Sequence, residues 1–304
     1  SDNDGREDLY LTALDGDHLF HNEGNFKFTD VTKAAGIANS SFGTSAAWLD
    51  YDKDGHADLF VANYVQWSRE KDHFCSLDGV AKSYCTPESY KGVSSRLYRN
   101  LGNGKFEDVT ARSGINSDEW SVAAGWFDFD NDGLLDLIVV NYGAWNAKSE
   151  RFCGDASRNL RVYCHPKWYD PRPNQLYRNL GNGKFEDVSA KSGIAASLGR
   201  AMGVVFADYD QDGRMDVFVT NDKLPNFLFH NLGGGKFEEV GLLSGAAMLD
   251  HGKAISSMGA EFRDYDPDRP GFRVGGKATA PERAPDEVEL HFEQYEHHGR
   301  SQQP

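Results

Sequence analysis

The sequence has no hydrophobic run that approaches the roughly 18 residues of a membrane-spanning helix. It also lacks the Gly-x-Ser-x-Gly and His-Glu-x-x-His motifs of common hydrolases. Positive charge is in deficit, with 32 Lys and Arg residues against 47 Asp and Glu residues and a net charge of −15. Such a surface repels phosphates, so unaided nucleic-acid binding is not expected. These absences predict a protein without a transmembrane segment, a nucleic-acid partner or an enzymatic activity.

Glycine and aromatic residues are abundant by contrast, because the chain of 304 residues has 32 glycines and 12% aromatic residues. This composition favours a turn-rich β protein over a helical one. The length is enough for a sizeable core in one large domain or two.

An aspartate-rich segment of 14 residues occurs three times, as DYDKDGHADLFVAN (Asp50–Asn63), DFDNDGLLDLIVVN (Asp128–Asn141) and DYDQDGRMDVFVTN (Asp208–Asn221). Each copy has aspartates at positions 1, 3, 5 and 9 and glycine at position 6. Alternate carboxylates in a tight loop can converge on one hard cation. The glycine permits the turn, and the backbone carbonyl at position 7 is a further oxygen ligand. A cage made only of oxygen atoms suits calcium best.

The same spacing begins an EF-hand loop, which requires a bidentate Glu at position 12 and a helix on each side. Position 12 is Val61, Val139 or Val219 here, and each loop continues into a short β-branched and aromatic run. Such runs are typical of buried strands. The EF-hand interpretation therefore fails. We expect each loop in a β-hairpin, with the position-9 aspartate as its last side-chain ligand.

A second motif alternates with the aspartate loop. It reads LFHNEGNFKFTDVTKAAGI at Leu19–Ile37, LYRNLGNGKFEDVTARSGI at Leu97–Ile115, LYRNLGNGKFEDVSAKSGI at Leu176–Ile194 and LFHNLGGGKFEEVGLLSGA at Leu228–Ala246. Each copy indicates a strand, a Gly/Asn turn and a second strand, and Asn-Gly at 103–104 and 182–183 is a strong hairpin signal. A further apolar segment precedes each complete loop, at Thr44–Leu49, Val122–Phe127 and Met202–Ala207.

One repeat therefore has four strands: one enters the aspartate loop, one leaves it, and the hairpin supplies two more. Four-stranded antiparallel units repeated around an axis are the blades of a β-propeller. Position 5 of the loop falls at residues 4, 54, 132, 212 and 268, so a blade has about fifty residues and two blades carry insertions. We expect an all-β propeller in which four to five blades can be counted. A stack of unrelated hairpins is the alternative.

The two ends of the chain carry incomplete loops. The first has aspartates only at positions 3, 5 and 9: Asp2, Asp4 and Asp8. The last has its leading strand and positions 1, 3 and 5, without the turn glycine: Asp264, Asp266 and Asp268. One hypothesis is that Ile255–Arg263 pairs beside Leu9–Leu11 and closes the ring. The other is that the chain is an arc of a larger propeller.

Residues 1–270 are assigned to the propeller and residues 271–304 to a polar C-terminal tail rich in Gly, Pro, Glu and His. The composition of the tail is typical of disorder. Within it, Glu287–Tyr295 alternates, with Val288, Leu290 and Phe292 on one side. This alternation is typical of an edge strand, or of an arm that adds to a partner's sheet. Both interpretations stay open.

The two insertions, Tyr64–Ser95 and Tyr142–Asn174, interrupt equivalent positions and share the pattern Phe-Cys followed by Tyr-Cys-x-Pro. Four cysteines allow three pairings, and the duplication favours the local one, Cys75–Cys85 and Cys153–Cys164. Each bridge would contribute about 2–3 kcal/mol by restricting the unfolded chain. Since cytosolic chains seldom keep such pairs, we expect a periplasmic or extracellular protein. The alternative is a zinc or copper site formed by Cys153, Cys164 and His165.

Loops on a rigid scaffold often carry function, so the insertions are the first candidate for a partner or ligand surface. Five of their aromatic residues are candidates for exposed contacts, although packing of the loops onto themselves is the commoner role: Trp67, Tyr90, Trp145, Trp168 and Tyr169.

Together, the two motifs resemble the FG-GAP/VCBS repeat family of integrin α-subunit heads and secreted bacterial proteins. They are most similar to its bacterial cartilage-acidic-protein-like group, which also has Tyr-Cys-x-Pro insertions. The resemblance covers roughly residues 2–268 and implies a calcium-binding β-propeller outside the cytoplasm, commonly with seven blades. Carried over position by position, it implies the calcium ligands Asp50, Asp52, Asp54, Asp58, Asp128, Asp130, Asp132, Asp136, Asp208, Asp210, Asp212 and Asp216. The terminal sets match in part: Asp2, Asp4 and Asp8, and Asp264, Asp266 and Asp268.

The calcium is expected to be structural, because carboxylates within one loop repel each other by about 1 kcal/mol per pair in water and by more near a protein surface. We expect a non-enzymatic scaffold that binds or assembles proteins, and one candidate partner is a membrane-bound complex, with the protein on the outer face of that complex. The alternative is a lectin-like module in which Trp145 and Trp168 stack on a glycan. An enzyme with a site in the central channel is a third class.

Overall fold

The computed structural model describes residues 2–14, 16–144, 153–158, 160–162, 164–249, 251–263 and 273–274. Within these residues the chain forms four consecutive antiparallel sheets, here called sheets 1 to 4. In each sheet the strands lie side by side in the order in which they occur along the chain. This all-β architecture, built blade by blade, is the β-propeller that the sequence predicts.

Sheet 1 has three strands, and sheets 2, 3 and 4 have four each. The strands of sheet 1 are Leu9–Leu11, His18–Gly24 and Lys27–Asp30. Those of sheet 2 are Gly43–Leu49, Asp58–Asn63, Arg96–Asn100 and Phe106–Asp108. Those of sheet 3 are Ser121–Phe127, Asp136–Asn141, Gln175–Asn179 and Phe185–Asp187. Those of sheet 4 are Ala201–Ala207, Asp216–Asn221, Phe227–Gly233 and Lys236–Glu239.

Short elements lie outside the four sheets, most of them within the two insertions. Three pairs of two-residue strands are Gly154–Asp155 with Leu160–Arg161, Arg172–Pro173 with Leu198–Gly199, and Phe262–Arg263 with Arg273–Val274. Single turns of 3-10 helix occur at Arg69–Lys71, Pro87–Ser89, Ala156–Arg158, Pro166–Trp168 and Ile194–Ala196. Across the described residues, no helix has the length and apolar character needed to cross a membrane.

Two one-turn α-helices, α1 (Thr110–Ser113) and α2 (Ser189–Ser192), were not expected from the sequence. In α1, the carboxylate of Asp108 accepts a hydrogen bond from the backbone N–H of Thr110 at 3.0 Å. The helix then ends at Gly114, whose φ of 89° lies in the left-handed region. The sequence Asp-Val-Thr/Ser followed by Gly is therefore a helix signal at both sites.

The second strand of each complete sheet is buried on both faces. In sheet 2, Leu59 and Val61 pack in the core shared with sheet 1, and Phe60 packs in the core shared with sheet 3. All three side chains are fully buried. Burial on both faces explains why this strand is a continuous apolar run and does not alternate with polar residues.

Neighbouring sheets are joined by aromatic contacts. Trp126 of sheet 3 meets Phe60 of sheet 2 edge to face, with ring centroids 6.0 Å apart. On the other face of sheet 3, Phe127 stacks on Phe206 of sheet 4 at 4.5 Å. Hydrogen bonds between strands act within a single sheet. Contacts between sheets therefore hold the loops of adjacent blades in fixed positions relative to one another.

Sheet 1 presents one apolar face to solvent. Its first strand alternates, so that Tyr10 packs on Trp48 of sheet 2 while Leu9 and Leu11 point the opposite way. Both leucines are 50% exposed, whereas the equivalent Leu59 is fully buried. Sheet 1 therefore has the side chains of an internal blade without a neighbour on this side among the described residues.

The described part of the C-terminal segment, up to Arg263, does not pair with the N-terminal strand Leu9–Leu11. Among the described residues, Leu9–Leu11 pairs with His18–Gly24, whereas Phe262–Arg263 pairs with Arg273–Val274. Phe262 instead packs edge to face on Phe218 of sheet 4, with ring centroids 6.4 Å apart. The segment thus begins a further sheet beside sheet 4. The predicted strand at 287–295 lies outside the described residues.

Candidate metal sites

The four aspartate loops share one backbone conformation. Position 6 has a positive φ in every loop, as the predicted glycine permits: Gly5 at 85°, Gly55 at 87°, Gly133 at 83° and Gly213 at 86°. Position 4 is also left-handed, which was not predicted because lysine and glutamine seldom adopt this conformation: Asn3 at 60°, Lys53 at 60°, Asn131 at 58° and Gln211 at 63°. The incomplete first loop therefore has the same fold as the complete ones.

Three aspartates of each complete loop converge. The carboxylates at positions 1, 3 and 9 each supply an oxygen atom, and the three atoms lie within 4.8 Å of one another. These groups are Asp50, Asp52 and Asp58; Asp128, Asp130 and Asp136; and Asp208, Asp210 and Asp216. One hard cation could contact all three oxygen atoms of such a group.

The aspartate at position 9 opens the second strand and is buried. Asp136 accepts hydrogen bonds from the backbone N–H groups of Phe129 at 3.1 Å and Asn179 at 2.7 Å. Even so, burial raises the pKa of Asp136 to about 7, and it raises the pKa of Asp58 to about 7 as well. The pKa of Asp216 is raised for the same reason. A nearby cation would favour the ionised form of all three carboxylates.

The aspartate at position 1 organises the turn. Asp50 accepts hydrogen bonds from the backbone N–H groups of Asp54 at 3.0 Å and Gly55 at 2.9 Å. Asp128 accepts the corresponding bonds from Asp132 and Gly133 at 3.1 and 2.8 Å. The carboxylate is thus oriented by the loop backbone before any ion binds.

The aspartate at position 3 has an oxygen atom without a partner. Oδ1 of Asp52 and Oδ1 of Asp130 are buried and have no hydrogen-bond donor. A buried acceptor that lacks a donor is costly, and a bound cation would satisfy it. In each of these two loops, three converging carboxylates, one of which has an unpartnered oxygen atom, therefore fit calcium.

The aspartate at position 5, expected as a fourth ligand, instead faces an arginine. Asp54 binds Arg99 at 2.9 Å and Asp132 binds Arg178 at 3.1 Å. Neither aspartate belongs to the converging group of its loop. In sheets 2 and 3 the structure thus brings together three of the four expected carboxylates, whereas in sheet 4 Asp212 also lies with Asp210 and His230.

An asparagine that was not singled out in the sequence attaches each loop to its surroundings. Asn231, on the third strand of sheet 4, is fully buried. Its side-chain amide donates to the carbonyl of Met215 in its own loop at 3.0 Å and to that of Phe129 in the preceding loop at 2.9 Å. Its recurrence in the Leu-aromatic-Arg/His-Asn motif is the signal that could have identified it.

Of the two incomplete loops, the structure describes the one near the N-terminal end of the chain. In the first loop, Asp2 and Asp8 converge with His21, a residue that the sequence analysis did not assign to a site. Asp4 instead pairs with Arg6. The candidate ligands Asp264, Asp266 and Asp268 lie outside the described residues.

A family model for the FG-GAP-like repeat matches residues 2–61, 84–139, 162–219 and 208–269. These segments cover more than half of the chain and include all four loops. The chain belongs to the FG-GAP-like repeat family. Most of both insertions falls between the matched FG-GAP-like repeats, so the insertions are additions to the repeat and not parts of it.

Two curated proteins are similar to this chain over three quarters of its length. Cartilage acidic protein 1 of Mus musculus is 26% identical over 241 residues, which are 75% of this chain and 31% of that protein. Cartilage acidic protein 1 of Homo sapiens is 25% identical over 241 residues, which are 75% of this chain and 30% of that protein. The match thus spans about a third of the length of these relatives.

Among solved structures, an Agrocybe aegerita lectin that recognises non-reducing terminal N-acetylglucosamine is similar over 77% of this chain and 62% of that chain. The identity is 16% and the TM-score is 0.28, which is too low to support an argument about this FG-GAP-like chain.

The insertions between the FG-GAP-like repeats are each closed by a disulfide. The predicted pairing is confirmed: Cys75 bonds to Cys85 and Cys153 to Cys164, with Cα–Cα distances of 5.2 and 5.3 Å. The zinc or copper alternative is wrong, because a disulfide removes the thiolates that such a metal requires. The remaining candidate ligand, His165, accepts a hydrogen bond from the backbone N–H of Lys167 at 3.1 Å.

The first insertion packs around Asp72. Trp67 and Tyr90 donate side-chain hydrogen bonds to its carboxylate at 3.0 and 2.6 Å, and Lys82 pairs with it at 2.5 Å. Hydrogen bonds from Lys82, Tyr90 and Trp67 lower the pKa of Asp72 to about 2. Tyr90 is buried and Trp67 is half-buried, so packing within the loop, the commoner role, holds for both.

The second insertion is joined to sheet 4 through buried polar groups. The hydroxyl of Tyr142 donates to Asp222 at 2.7 Å, and the guanidinium of Arg200 donates to the backbone carbonyl of Tyr169 at 3.2 Å. Tyr169 and Tyr142 also join the aromatic cluster around Trp120. Trp168 is 47% exposed. Trp145 lies outside the described residues.

Proposed function

We propose that this protein is a calcium-stabilised scaffold outside the cytoplasm that binds another protein and performs no catalysis. The observation that carries the proposal is the tip of the first insertion, where Phe74 is 65% exposed and Tyr84 is 85% exposed. Each aromatic residue precedes a cysteine of the Cys75–Cys85 disulfide, which restricts both to one ordered turn. Aromatic side chains held on a rigid, exposed turn are typical anchors of protein–protein interfaces.

Calcium is the ion that the three complete loops suit best. The proposed ligands are the converging carboxylates of each loop together with the backbone carbonyl at position 7. Asp54, Asp132 and Asp212 would remain outside the coordination shell or join it only by leaving their arginines. Extracellular modules bind calcium with dissociation constants of about 10⁻⁴–10⁻³ M, so millimolar calcium would occupy these sites.

A structural role for the ion follows from where the loops lie. Each loop connects the first two strands of a sheet, and its position-9 aspartate lies at the start of the buried second strand. A bound cation would therefore hold the first two strands of each sheet in register. It would also offset the cost of burying the charged carboxylate of the position-9 aspartate. The two disulfides support placement in an oxidising compartment, periplasmic or extracellular.

The decisive experiment captures partners from native membranes and culture medium by chemical crosslinking to the full chain. Phe74→Ala/Tyr84→Ala is compared with Phe26→Ala, since Phe26 is a fully exposed aromatic residue on a turn of sheet 1. We expect a protein captured by the wild type and by Phe26→Ala to be lost in the double variant. Equal capture by all three proteins would contradict the proposal.

A glycan array with the same proteins tests the lectin alternative. The ammonium group of Lys167 lies 4.8 Å from the ring centroid of Trp168, which leaves at most one face for sugar stacking. Glycan binding that disappears in Trp168→Ala would favour the lectin over the protein-binding scaffold.

A further inference from the structure

The aspartate loops are of two kinds, distinguished by the residue that precedes a recurring asparagine: Asn22 on the second strand of sheet 1, and Asn100, Asn179 and Asn231 on the third strands of sheets 2, 3 and 4. In sheets 2 and 3 this residue is an arginine that forms ion pairs with two aspartates of the loop. Arg99 binds Asp52 at 2.7 Å and Asp54 at 2.9 Å. Arg178 binds the carboxylates of positions 3 and 5 in the same way, at 2.7 and 3.1 Å.

In sheets 1 and 4 a histidine, His21 or His230, occupies this position. The arginine in these sheets is instead residue 7 of the loop, Arg6 or Arg214. Arg214 pairs with the position-5 residue Asp212, and its Nε donates to the carbonyl of Asn231 at 2.7 Å. Arg6 pairs with Asp4 in the same way. The position-5 carboxylate is thus held by arginine in all four loops, but the position-3 carboxylate is held by arginine only in sheets 2 and 3.

The histidine takes the place of the guanidinium beside the inner carboxylates. Nδ1 of His230 lies 3.3 Å from Asp216 and 3.5 Å from Asp210. Nδ1 of His21 lies 3.1 Å from Asp8 and 3.4 Å from Asp2. Both histidine side chains are about one-fifth exposed, so ions in solution can reach them.

We propose that the loops of sheets 1 and 4 are mixed nitrogen–oxygen sites that also bind a transition ion of the Zn²⁺ or Co²⁺ class, whereas the loops of sheets 2 and 3 bind calcium alone. The inference rests on the proposed cation-binding role of the loops. A neutral imidazole is a ligand for such ions, but a guanidinium is always charged and has no atom that can act as a ligand.

The number of donors leads to the same assignment. His21, Asp2 and Asp8 supply three protein atoms within 4.8 Å of one another, and in sheet 4 Nδ1 of His230 lies within 3.5 Å of both Asp210 and Asp216. Three protein ligands and a water complete the tetrahedral shell that Zn²⁺ favours, whereas calcium takes six to eight oxygen ligands.

The test counts Co²⁺ ions bound to the full chain by equilibrium dialysis and follows their visible absorption, in the presence of millimolar calcium. The loss variant is His21→Gln/His230→Gln. The gain variant, Leu134→Arg/Arg178→His, converts the loop of sheet 3 to the arrangement found in sheet 4. Histidines elsewhere in the chain contribute equally to all three proteins, so only differences between them matter.

We expect the loss variant to bind two fewer Co²⁺ ions than the wild type and the gain variant to bind one more. Equal numbers in the wild type and the loss variant would overturn the inference. Calcium-dependent melting, recorded for each protein, separates the two proposals. A calcium shift without histidine-dependent Co²⁺ binding refutes only the mixed sites, and no calcium shift refutes the proposed role of calcium.

Discussion

The side-chain amide of Asn179 donates a 3.0 Å hydrogen bond to the backbone carbonyl of Tyr51, a residue 128 positions earlier in the chain. The same amide donates to the carbonyl of Leu135 at 3.0 Å, and the backbone N–H of Asn179 donates to Asp136 at 2.7 Å. One buried residue therefore connects two aspartate loops that belong to neighbouring sheets.

Asn179→Ala should destabilise the protein by about 1–3 kcal/mol, because the carbonyls of Tyr51 and Leu135 both lose the donor that this amide supplies. Urea unfolding monitored by tryptophan fluorescence measures the change. Asn182→Gly is the matched control, since Asn182 is exposed on the adjoining turn and its φ of 51° suits glycine. Equal stability of Asn179→Ala and the wild type would show that this bridge contributes nothing.

Tyr142→Phe should cost about 1–3 kcal/mol, because the hydroxyl of Tyr142 is the donor to the buried carboxylate of Asp222 at 2.7 Å. Asp222 retains the hydroxyl of Ser256 at 2.5 Å, so the carboxylate is not left without any donor. Tyr84→Phe removes the same atom from a residue that is 85% exposed and should change stability by less than about 0.5 kcal/mol. The prediction fails if the two variants unfold at the same urea concentration.

Gly125→Ala should destabilise the contact between sheets 3 and 4 by about 1–3 kcal/mol. A Cβ atom at this position would lie 2.5 Å from the ring of Phe206, while the backbone itself would accept alanine. Phe206→Leu in the same chain should relieve part of the cost. A double-mutant cycle therefore measures the coupling, and strictly additive effects would show that the ring is not the cause.

The stabilising effect of calcium should increase with pH. Burial raises the pKa of both Asp58 and Asp136 to about 7, above their ordinary value near 4. Without calcium, the stability that these groups contribute is complete below about pH 4 and is lost as the pH rises through about 7. Calcium binds the ionised carboxylates, and at about ten times its dissociation constant each site gains about 1.4 kcal/mol.

Calorimetric melts of metal-depleted protein with and without millimolar calcium, at about pH 5 and about pH 8, check this expectation. The difference in melting temperature should be small at the lower pH and large at the higher one. Magnesium at the same concentration is the control, because it is reluctant to give up its water ligands. A calcium effect that is larger at the lower pH would contradict the assigned role of these aspartates.

Local chemistry was enough to predict the repeated elements from the sequence. The aspartate loop and its glycine determine a turn by themselves, and the apolar run after Asp136 has the composition of a strand buried on both faces. The two motifs recur in a fixed order, which predicts the four-stranded blade. The helical turns α1 and α2 were missed, although Asp108 and Gly114 carry a recognisable local signal.

The site was predicted less completely, because contacts over long sequence distances decide the roles of individual aspartates. Asp54 and Asp52 look alike in the sequence, yet Arg99, more than forty positions later, binds both and leaves only Oδ1 of Asp52 unpartnered. Likewise, the exposure of Phe74 and the burial of Tyr90 depend on how the insertion folds around Asp72.

The sequence by itself determined the repeat, the glycine turn of the loop, the disulfide pairing and the order of the strands, because each depends on residues within one blade or one insertion. Only the tertiary structure decided which carboxylates converge, which loops face histidine and which apolar face remains exposed. Whether an arginine or a histidine contacts the carboxylates depends on a later strand of the same sheet, and the exposed apolar face depends on the neighbouring sheet, so no spacing within the loop contains either.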